Sequence, residues 1–336
     1  MSSLIVEVCK IDAVQPHGNA DALELAVIKG WQCVIPKGRH TAGDLVTYIP
    51  IDAMIPAEHS DRWGITKYLS NGRVRCAKLR GEPSFGVIVE REDPAWAEGE
   101  DVAEHYGITK YLPPVKITAG DALPAHPLFG EYTDVENLRH FPDVLMASEE
   151  VVVTEKIHGT NSRIGVIEGE LMAGSMSVRR ACPAEAKGSI YWSPAEIPGV
   201  RELLCDLSQT HRQAILYGEI FGSKVQNLNY GCVGELGFRA FDLLIDGKYA
   251  DWDDFESLCR QYEVPVVPVL YRGEYDLATI KRLSEGETTL GADHIREGVV
   301  VKPALERVDP KVGRVCLKYI GDPYLFAKGV TDSHDV

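Results

Sequence analysis

The segment 151–166, V-V-V-T-E-K-I-H-G-T-N-S-R-I-G-V, places a lysine, a histidine and a glycine between two apolar runs. This pattern predicts a strand that ends at a tight turn around Gly159 and a second strand that leaves it, with Lys156 at the turn. A lysine at the end of a buried strand, beside a glycine that lets a phosphate approach the backbone, suits covalent chemistry on a nucleotide. A solvated hairpin lysine is the alternative, and this segment alone does not decide between them.

Five further segments carry charged residues on or beside predicted strands. They are S-V-R-R (177–180), Y-G-E-I-F-G (217–222), F-R-A-F-D-L-L (238–244), E-G-V-V-V-K (297–302) and R-V-C-L-K-Y (314–319). Most are rich in β-branched and aromatic residues, whereas 200–207, 253–262 and 277–283 show the apolar spacing of helices. Charged strand ends gathered in one domain predict a pocket lined by charge.

Length and punctuation divide the chain into two domains. At about 150 residues per domain, 336 residues make two. Residues 4–90 alternate short apolar runs with Gly, Pro, Asn and Asp, which is typical of a small β-barrel. Prolines then crowd 112–129 and exclude a central strand or helix there. We therefore predict a first domain at 1–111, a linker at 112–129 and a second domain at 130–336.

Composition excludes several classes of protein. The N-terminus lacks a signal-peptide pattern, and no apolar run is long enough to span a membrane. The eight cysteines include no C-x-x-C pair, which argues against a zinc ribbon or a disulfide scaffold. We expect a cytoplasmic (intracellular) monomer with reduced thiols and no membrane contact.

The net charge of −15 disfavours nonspecific coating of nucleic acid, but a local basic face remains possible. Residues 62–80 contain six Lys and Arg and no acidic residue, with Trp63 and Tyr68 among them. This composition favours a surface that binds phosphates and stacks bases, with Arg73 and Arg75 as candidate contacts. An exposed strand face that happens to be basic is the alternative. The heptapeptide at 63–69, W-G-I-T-K-Y-L, recurs as Y-G-I-T-K-Y-L at 106–112, as a coincidence or a local duplication.

Taken in order, the six segments of the second half resemble the covalent nucleotidyltransferase superfamily of polynucleotide ligases and mRNA capping enzymes. The histidine in K-I-H-G-T-N is similar to that of RNA ligases of the phage-encoded, nick-sealing and RNA-editing type, and Y-T-D-V-E-N (132–137) to their domain start. In the first half, segments 16–26, 43–50 and 78–89 resemble the tRNA-binding type of OB barrel. An OB barrel ahead of the catalytic domain is similar to the Deinococcus and Naegleria RNA ligases.

The resemblance implies an α+β protein: an N-terminal OB-like β-barrel that binds nucleic acid, then an ATP-grasp-like nucleotidyltransferase domain of antiparallel sheets flanked by helices. It also implies an ATP-dependent RNA ligase that joins 3′-hydroxyl and 5′-phosphate ends, with AMP carried first on Lys156 and then on the 5′ end. The expected substrates are ATP and RNA, or a nicked duplex whose 3′-hydroxyl strand is RNA. The expected metal is Mg²⁺ or Mn²⁺.

Lys156 must lose a proton before it attacks, although the pKa of a free lysine is about 10.4. By resemblance, Lys302 and Lys318 supply the positive charge that disfavours its ammonium form and neutralises the phosphates. With His158, which is tied to transfer of AMP onto the 5′-phosphate, they complete the expected catalytic set.

The resemblance also implies how the nucleotide is held. Glu219 contacts the ribose, and Glu219 and Glu297 are the carboxylates for the metal. The remaining assignments are the adenine edge to Glu155, base stacking to Phe238 with Phe241 as the weaker candidate, the ribose and nucleic-acid end to Arg179, and nucleotide binding to Asn161.

The last motif departs from the pattern of two lysines separated by one residue. Lys318 is present, but Ile320 or Cys316 stands where the second lysine would be. A phosphate contact is therefore missing or comes from elsewhere, with Lys311, Arg314 and Lys328 as candidates. Three other functions stay open: a DNA ligase, a GTP-dependent capping enzyme of the same superfamily, or a non-catalytic RNA-binding protein.

Overall fold

The computed structural model describes residues 4–112, 121–182, 189–223 and 225–326. The chain divides into two compact units, Met1–Pro114 with Leu325–Val336, and Val115–Tyr324. Residues 113–120 of the predicted linker lie outside the described residues, as does Lys328. The predicted limits 1–111, 112–129 and 130–336 stay a prediction.

The first unit is built from short strands with one helix and one 3₁₀ turn. In chain order these are β1 (Glu7–Lys10), β2 (Ala13–Pro16), β3 (Leu23–Ile28), β4 (Trp31–Pro36), β5 (Leu45–Ile49), β6 (Ala53–Met54), α1 (Ala57–Arg62), the 3₁₀ turn (Thr66–Tyr68), β7 (Ala77–Leu79), β8 (Glu82–Ser84), β9 (Val87–Glu90) and β10 (Thr109–Lys110). The sheets have the orders β1-β5-β9, β2-β3-β4, β7-β8 and β10-β6, all antiparallel. This confirms the β-rich first half.

Two of the three motifs that resemble an OB barrel, 16–26 and 78–89, meet in the first unit. The backbone N–H of Asn19 donates to Nδ1 of His17 at 3.0 Å, so the proton of the neutral ring lies on Nε2. Nε2 then donates to the carbonyl of Leu79 at 3.1 Å. His17 therefore ties the 16–26 motif to the 78–89 motif.

The repeated heptapeptide has a structural reason. Gly64 and Gly107 both have positive φ, 68° and 61°, and each follows a helical turn, as glycines at helix ends commonly do. The backbone N–H of Gly64 donates to the backbone carbonyl of Asp61, and that of Gly107 donates to the backbone carbonyl of Glu104, each at 3.0 Å. The next residue of each copy, an isoleucine, packs on one core, and the rings of Trp63 and Tyr106 lie 5.2 Å apart. Each copy of the heptapeptide therefore terminates a turn at its glycine, and both copies pack against the same apolar core.

The second unit contains two sheets and most of the helices. Its elements are β11 (Ala122–Leu123), β12 (Glu136–Asn137), β13 (Glu150–Lys156), β14 (Thr160–Ile167), β15 (Glu170–Ser175), β16 (Arg179–Arg180), a 3₁₀ helix (Ile190–Glu196), α2 (Pro198–Leu207), β17 (Gln213–Gly222), β18 (Leu236–Ile245), β19 (Lys248–Tyr249), α3 (Trp252–Gln261), β20 (Val269–Glu274), α4 (Leu277–Ser284), β21 (Gly298–Pro303), β22 (Val308–Asp309), β23 (Gly313–Arg314), β24 (Leu317–Ile320) and α5 (Asp322–Leu325). The three helices predicted from apolar spacing are confirmed as α2, α3 and α4.

A seven-stranded sheet has the order β11-β16-β15-β14-β17-β18-β19, and a five-stranded sheet has the order β12-β24-β21-β13-β20. All pairs in both are antiparallel except β12 with β24. Under one face of the five-stranded sheet lies an apolar core that includes Val153, Val299 and, from α4, Ile280. The side chain of Asp276 caps α4 by accepting from the N–H groups of Ala278 and Thr279.

All eight cysteines are free. Burial raises the pKa of Cys33 to about 12, so that thiol is a packing group and not a nucleophile. Within the described ranges, no helix combines the length and the apolar character needed to cross a membrane.

Candidate active site

Three lysines predicted to act together share one face of the five-stranded sheet. Lys156, the last residue of β13, is opposite Gly298, and Val152 on the same strand is opposite Lys302. Lys318 on β24 is opposite Val300, which is opposite Thr154. Because opposed residues share a face and alternate residues along a strand do too, all three lysines belong to one side. Ile320, opposite Gly298, occupies the same row as Lys156.

Gly159 is required by packing against β17. A Cβ atom there would overlap the carbonyl oxygen of Ile220 and lie 2.9 Å from Cγ of Glu219. The turn after Lys156 can therefore approach β17 only with glycine at this position. The structure gives a packing reason for the glycine, in addition to the predicted approach of a phosphate.

Lys156 is held by a buried carboxylate. Its Nζ donates to Oε1 of Glu297, whose side chain has 0% exposure, while the Lys156 side chain is 23% exposed. Oε2 of Glu297 lies 3.8 Å from Nδ1 of His158. The structure thus brings the predicted nucleophile, the predicted metal carboxylate and the predicted transfer histidine together.

Two tyrosines hold His158. Its backbone N–H donates to the hydroxyl of Tyr230 at 2.6 Å, and its Nδ1 lies 2.9 Å from the hydroxyl of Tyr324. Burial, together with the nearby charge of Glu297, raises the pKa of Tyr230 well above its usual value, so the hydroxyl stays protonated. Tyr230 also adopts a positive φ of 51°, which is uncommon outside glycine and clusters at functional sites.

A second group of polar side chains lies on the seven-stranded sheet. Asn161 of β14, Glu219 of β17 and Arg239 of β18 are directly opposed across three neighbouring strands, so they share one face. Oδ1 of Asn161 is buried and makes no hydrogen bond to any residue described by the structure. An oxygen acceptor left in this way fits a ligand hydroxyl or a metal-bound water.

The oxygen donors suit a divalent ion that keeps most of its water. No group of three or more His, Cys, Asp and Glu able to hold a metal occurs in the described part of the chain. Mg²⁺ commonly uses only one or two carboxylates together with substrate phosphates. Glu219 and Glu297 supply carboxylates of that kind, and Asn161 adds a hard amide oxygen.

Glu155 is on the opposite face of β13 from Lys156, because side chains alternate along a strand. It is 1% exposed, and Oε2 accepts from the backbone N–H of Thr289 at 2.8 Å and from its hydroxyl at 2.6 Å. Oε1 accepts from the hydroxyl of Thr288. Both carboxylate oxygens are therefore engaged within the protein, and the expected contact with the adenine edge stays a prediction.

Lys302 is buried in a separate group of charges. Its Nζ donates to Oδ1 of Asp242, and Arg314 donates to Oδ2 of the same carboxylate at 3.0 Å. Burial by itself would raise the pKa of Asp242, but the two cations outweigh it and hold that pKa below its usual value. Lys302 also lies over the ring of Trp252 at 5.1 Å. Its expected contact with a phosphate stays a prediction.

Phe238 lines a cavity of about 290 Å³ with Tyr230, Arg239 and Leu290 among its neighbours. Phe238 is opposite Ile220, and its side chain projects from the face of β18 opposite to that of Arg239. Its ring occupies the space that a Cβ atom on Gly218 would need. Phe241 instead packs 4.9 Å from the ring of Tyr132. Base stacking by Phe238 stays a prediction.

Arg179 shares a face of the seven-stranded sheet with Asn161 and Glu219, two strands away from β14. On β16 it donates to Oε1 of Glu170 at 2.6 Å. Arg179 is opposite Gly174, which is opposite Arg163, two residues along β14 from Asn161, so its backbone lies near this group while its side chain pairs with Glu170. Its role at the ribose or the nucleic-acid end stays a prediction. Of the substitutes for the missing lysine, Lys311 lies in an exposed turn and Arg314 is paired with Asp242 and Glu306.

Comparison with known protein families identifies both units of the chain. The family model described as RNA ligase matches residues 149–320, more than half of the chain. The chain belongs to the RNA ligase family. An OB-fold domain model matches residues 5–90, which confirms the OB barrel, and the α+β class is confirmed with it. No curated relative matches the chain.

Solved structures of the Naegleria gruberi RNA ligase resemble the structure of this RNA ligase over almost the whole length of both chains. A mutant with AMP and Mn has a TM-score of 0.80 at 25% identity, and covers 96% of this chain and 98% of its own. A mutant with ATP and Mn has a TM-score of 0.78 at 25% identity, and the enzyme with PPi has 0.78 at 26%, each with the same coverage. The expected similarity to the Naegleria enzyme is confirmed.

Several residues that contact the predicted site residues or their partners, or face them across a strand pair, were missed by sequence reasoning. They are Tyr132, Tyr230, Asp242, Thr288, Thr289, Arg239 and Tyr324. Asp242 had a signal, because it ends the charged F-R-A-F-D segment. Tyr230 and Tyr324 are 72 and 166 residues from His158, and no local pattern marks them.

Proposed function

We propose that this RNA ligase uses ATP to join 3′-hydroxyl and 5′-phosphate ends through AMP bound to Lys156, at nicks whose 3′-hydroxyl strand is RNA. The observation that carries the proposal is the position of Lys156, at the end of a central strand, partly exposed and paired with the buried Glu297. The similarity to a ligase solved with AMP, ATP, Mn and PPi supports the choice of nucleotide.

The first step requires the lone pair of Lys156 Nζ. Glu297 orients Nζ through Oε1, and the ammonium must lose a proton before the nitrogen attacks the α-phosphorus of ATP. The N–P bond forms as the bond from the α-phosphorus to the bridging oxygen breaks, and pyrophosphate leaves. Mg²⁺ or Mn²⁺, when bound, neutralises phosphate oxygens, and Glu219, Glu297 and Asn161 Oδ1 are the donors that would hold it.

The next two steps restore the lysine and make the new bond. An oxygen of the 5′-phosphate attacks the α-phosphorus of lysyl-AMP, and the N–P bond breaks. His158, held by Tyr230 and Tyr324, stands beside Lys156 to orient that transfer. The 3′-hydroxyl then attacks the activated 5′-phosphate, and AMP leaves with its bonding electrons.

Labelling with [α-³²P]ATP tests the proposal. With Mg²⁺ or Mn²⁺, we expect covalent label that survives denaturing electrophoresis on the wild-type chain and none on Lys156→Ala. Lys248→Ala, which removes an exposed lysine from β19, is the matched control and should label normally. Label that persists in Lys156→Ala, or label that comes from GTP or NAD and not from ATP, would contradict the proposal.

The nick preference is tested by a second assay on the same protein. Sealing of a nicked duplex with a ribose at the 3′-hydroxyl end should exceed sealing of an all-DNA nick. Equal rates on the two nicks would contradict an RNA preference and favour a general polynucleotide ligase.

We also propose that the barrel contacts the nucleic acid through part of its basic run. Arg73 pairs with Asp52 and lies 4.0 Å over the ring of Tyr111, and Arg62 pairs with Glu92, so these two are already neutralised. Lys67, Arg75, Lys78 and Arg80 are exposed. The contact therefore belongs to Arg75 and its exposed neighbours, and not to Arg73.

Charge reversal separates the barrel from the catalytic unit. Arg75→Glu should weaken binding of nicked RNA and lower its salt slope by about 1, because one phosphate contact is lost. Lys37→Glu makes the same charge change at another exposed site of the barrel and is the control. Self-labelling should stay normal in both, and its loss in Arg75→Glu would indicate misfolding and contradict the assignment.

A further inference from the structure

The turn that carries Lys156 is fixed from two sides by residues that bind its flanks. On one side is Glu155, whose carboxylate accepts from Thr288 and twice from Thr289. A carboxylate that accepts three hydrogen bonds holds its strand end firmly, since each bond to a charged group is stronger than a neutral one. Because Glu155 and Lys156 are neighbours, these bonds restrict where the Lys156 backbone can lie.

The other side of the turn is held by the connection between β17 and β18. The hydroxyl of Tyr230 accepts from the backbone N–H of His158 at 2.6 Å, and Nε2 of Gln226 donates to the carbonyl of Gly159 at 3.3 Å. Both bonds go to main-chain atoms of the turn. This connection therefore constrains the backbone of the turn as well as any side chain on it.

The two anchors are joined to each other. The N–H of Thr288 donates to the carbonyl of His294 at 3.0 Å, and the ring of His294 meets that of Tyr230 edge-on, with centroids 4.6 Å apart. The segment that contains Thr288 and His294 continues directly into Glu297, the partner of Lys156. A shift at Thr289 would therefore reach both members of the Lys156–Glu297 pair.

We propose that Glu155 and Tyr230 are positioning residues that hold Lys156 in the geometry for attack on the nucleotide, with Thr288 and Thr289 as the partners of Glu155. The proposal rests on Lys156 as the nucleophile. It gives Glu155 a role that needs no contact with the base. A residue of this kind changes the rate of attack and leaves nucleotide affinity nearly untouched, because it acts on the nucleophile and not on the ligand.

The experiment is single-turnover self-labelling of the full-length chain over a range of nucleotide concentrations. Glu155→Gln, Thr289→Val and Tyr230→Phe should each lower the maximal rate roughly ten- to a hundredfold, the cost of a small misplacement. The half-saturating ATP concentration should stay within about threefold of wild type. Thr289→Ser keeps the hydroxyl and should restore the wild-type rate.

A nucleotide without the 6-amino group, purine riboside triphosphate, separates positioning from base recognition. If Glu155 positions Lys156, Glu155→Gln slows labelling by the same factor with this nucleotide and with ATP. If Glu155 only reads the adenine edge, the variant keeps the wild-type rate with purine riboside triphosphate and loses rate or affinity with ATP alone, and the proposal is overturned.

A double variant tests whether Glu155 and Thr289 act as one unit. Glu155→Gln with Thr289→Val should be no slower than the slower single variant, because contacting partners are non-additive. Variants that label at the wild-type rate, or an equal loss in Thr289→Ser, overturn the inference, with thermal unfolding used to verify each fold. A wild-type chain that takes no label would instead overturn the proposed function, and this inference with it.

Discussion

Lys156 and Lys302 lie on the same face of the same sheet, yet their surroundings differ. Lys156 has Glu297 as its carboxylate partner and is 23% exposed. Lys302 is 5% exposed, donates to Asp242 and to the carbonyl of Phe241, lies 3.8 Å from Glu306 and faces the ring of Trp252. In the Lys156–Glu297 pair, the partly exposed lysine can leave its carboxylate and contact a ligand. In the Lys302–Asp242 pair, both side chains are shielded from solvent by their own contacts.

One sequence signal, a lysine on a strand in an ordered motif, therefore leads to two physical roles. A buried, multiply bonded charge is held because leaving it unpaired costs several kcal/mol. A charge that reaches water can give up its partner at far lower cost. On this basis we expect the Asp242 group to support the fold and the Glu297 pair to support chemistry.

The largest expected effect is on stability. Asp242→Asn removes the carboxylate between two buried cations, so the free energy of unfolding should fall by about 3–5 kcal/mol. Urea unfolding of the purified chain measures this. Asp253→Asn, at an exposed carboxylate paired with Arg272, is the control and should change it by less than about 1 kcal/mol. Equal effects of the two substitutions would break the distinction between buried and exposed groups.

The next effect is on chemistry. Glu297→Gln should slow self-labelling with ATP roughly 10²-fold, because the amide cannot take part in charge or proton exchange with Nζ. Its free energy of unfolding should fall by less than in Asp242→Asn, since only one cation loses its partner and the Lys156 side chain can still reach water. A large loss of stability with normal labelling would show that Glu297 supports the fold and not the chemistry, which contradicts the role assigned to the Lys156–Glu297 pair.

The smallest effect is a dependence on pH. The folded-state pKa of Asp242 is depressed, so its contribution to stability is fully present above the unfolded value near 3.9 and is lost as the pH falls through the lower folded value. The difference in unfolding free energy between wild type and Asp242→Asn should therefore be constant above about pH 5 and narrow below pH 4. A difference that grows in acid would contradict a depressed pKa.

Much of the fold was predictable because the signals are local. Alternating and continuous apolar runs predicted the strands around Lys156, and three- and four-residue spacing predicted α2, α3 and α4. The repeated heptapeptide could be seen in the sequence, but its reason, two glycine-ended turns on one core, required the packing of Trp63 against Tyr106. The neutralisation of Arg73 by Asp52 likewise could not be found from composition, because the partner is 21 residues away.

The order of the charged segments, the family they resemble and the residues Lys156, His158 and Glu297 could be identified from the sequence alone. Those features depend on residue type and spacing along one chain. The partner of each side chain could be seen only in the folded protein, where Glu155 accepts from Thr289 on one face of β13 and Lys302 pairs with Asp242. Partners of this kind come from strands and loops 60 to 166 residues apart, and their contacts exist only after the sheets have paired and packed.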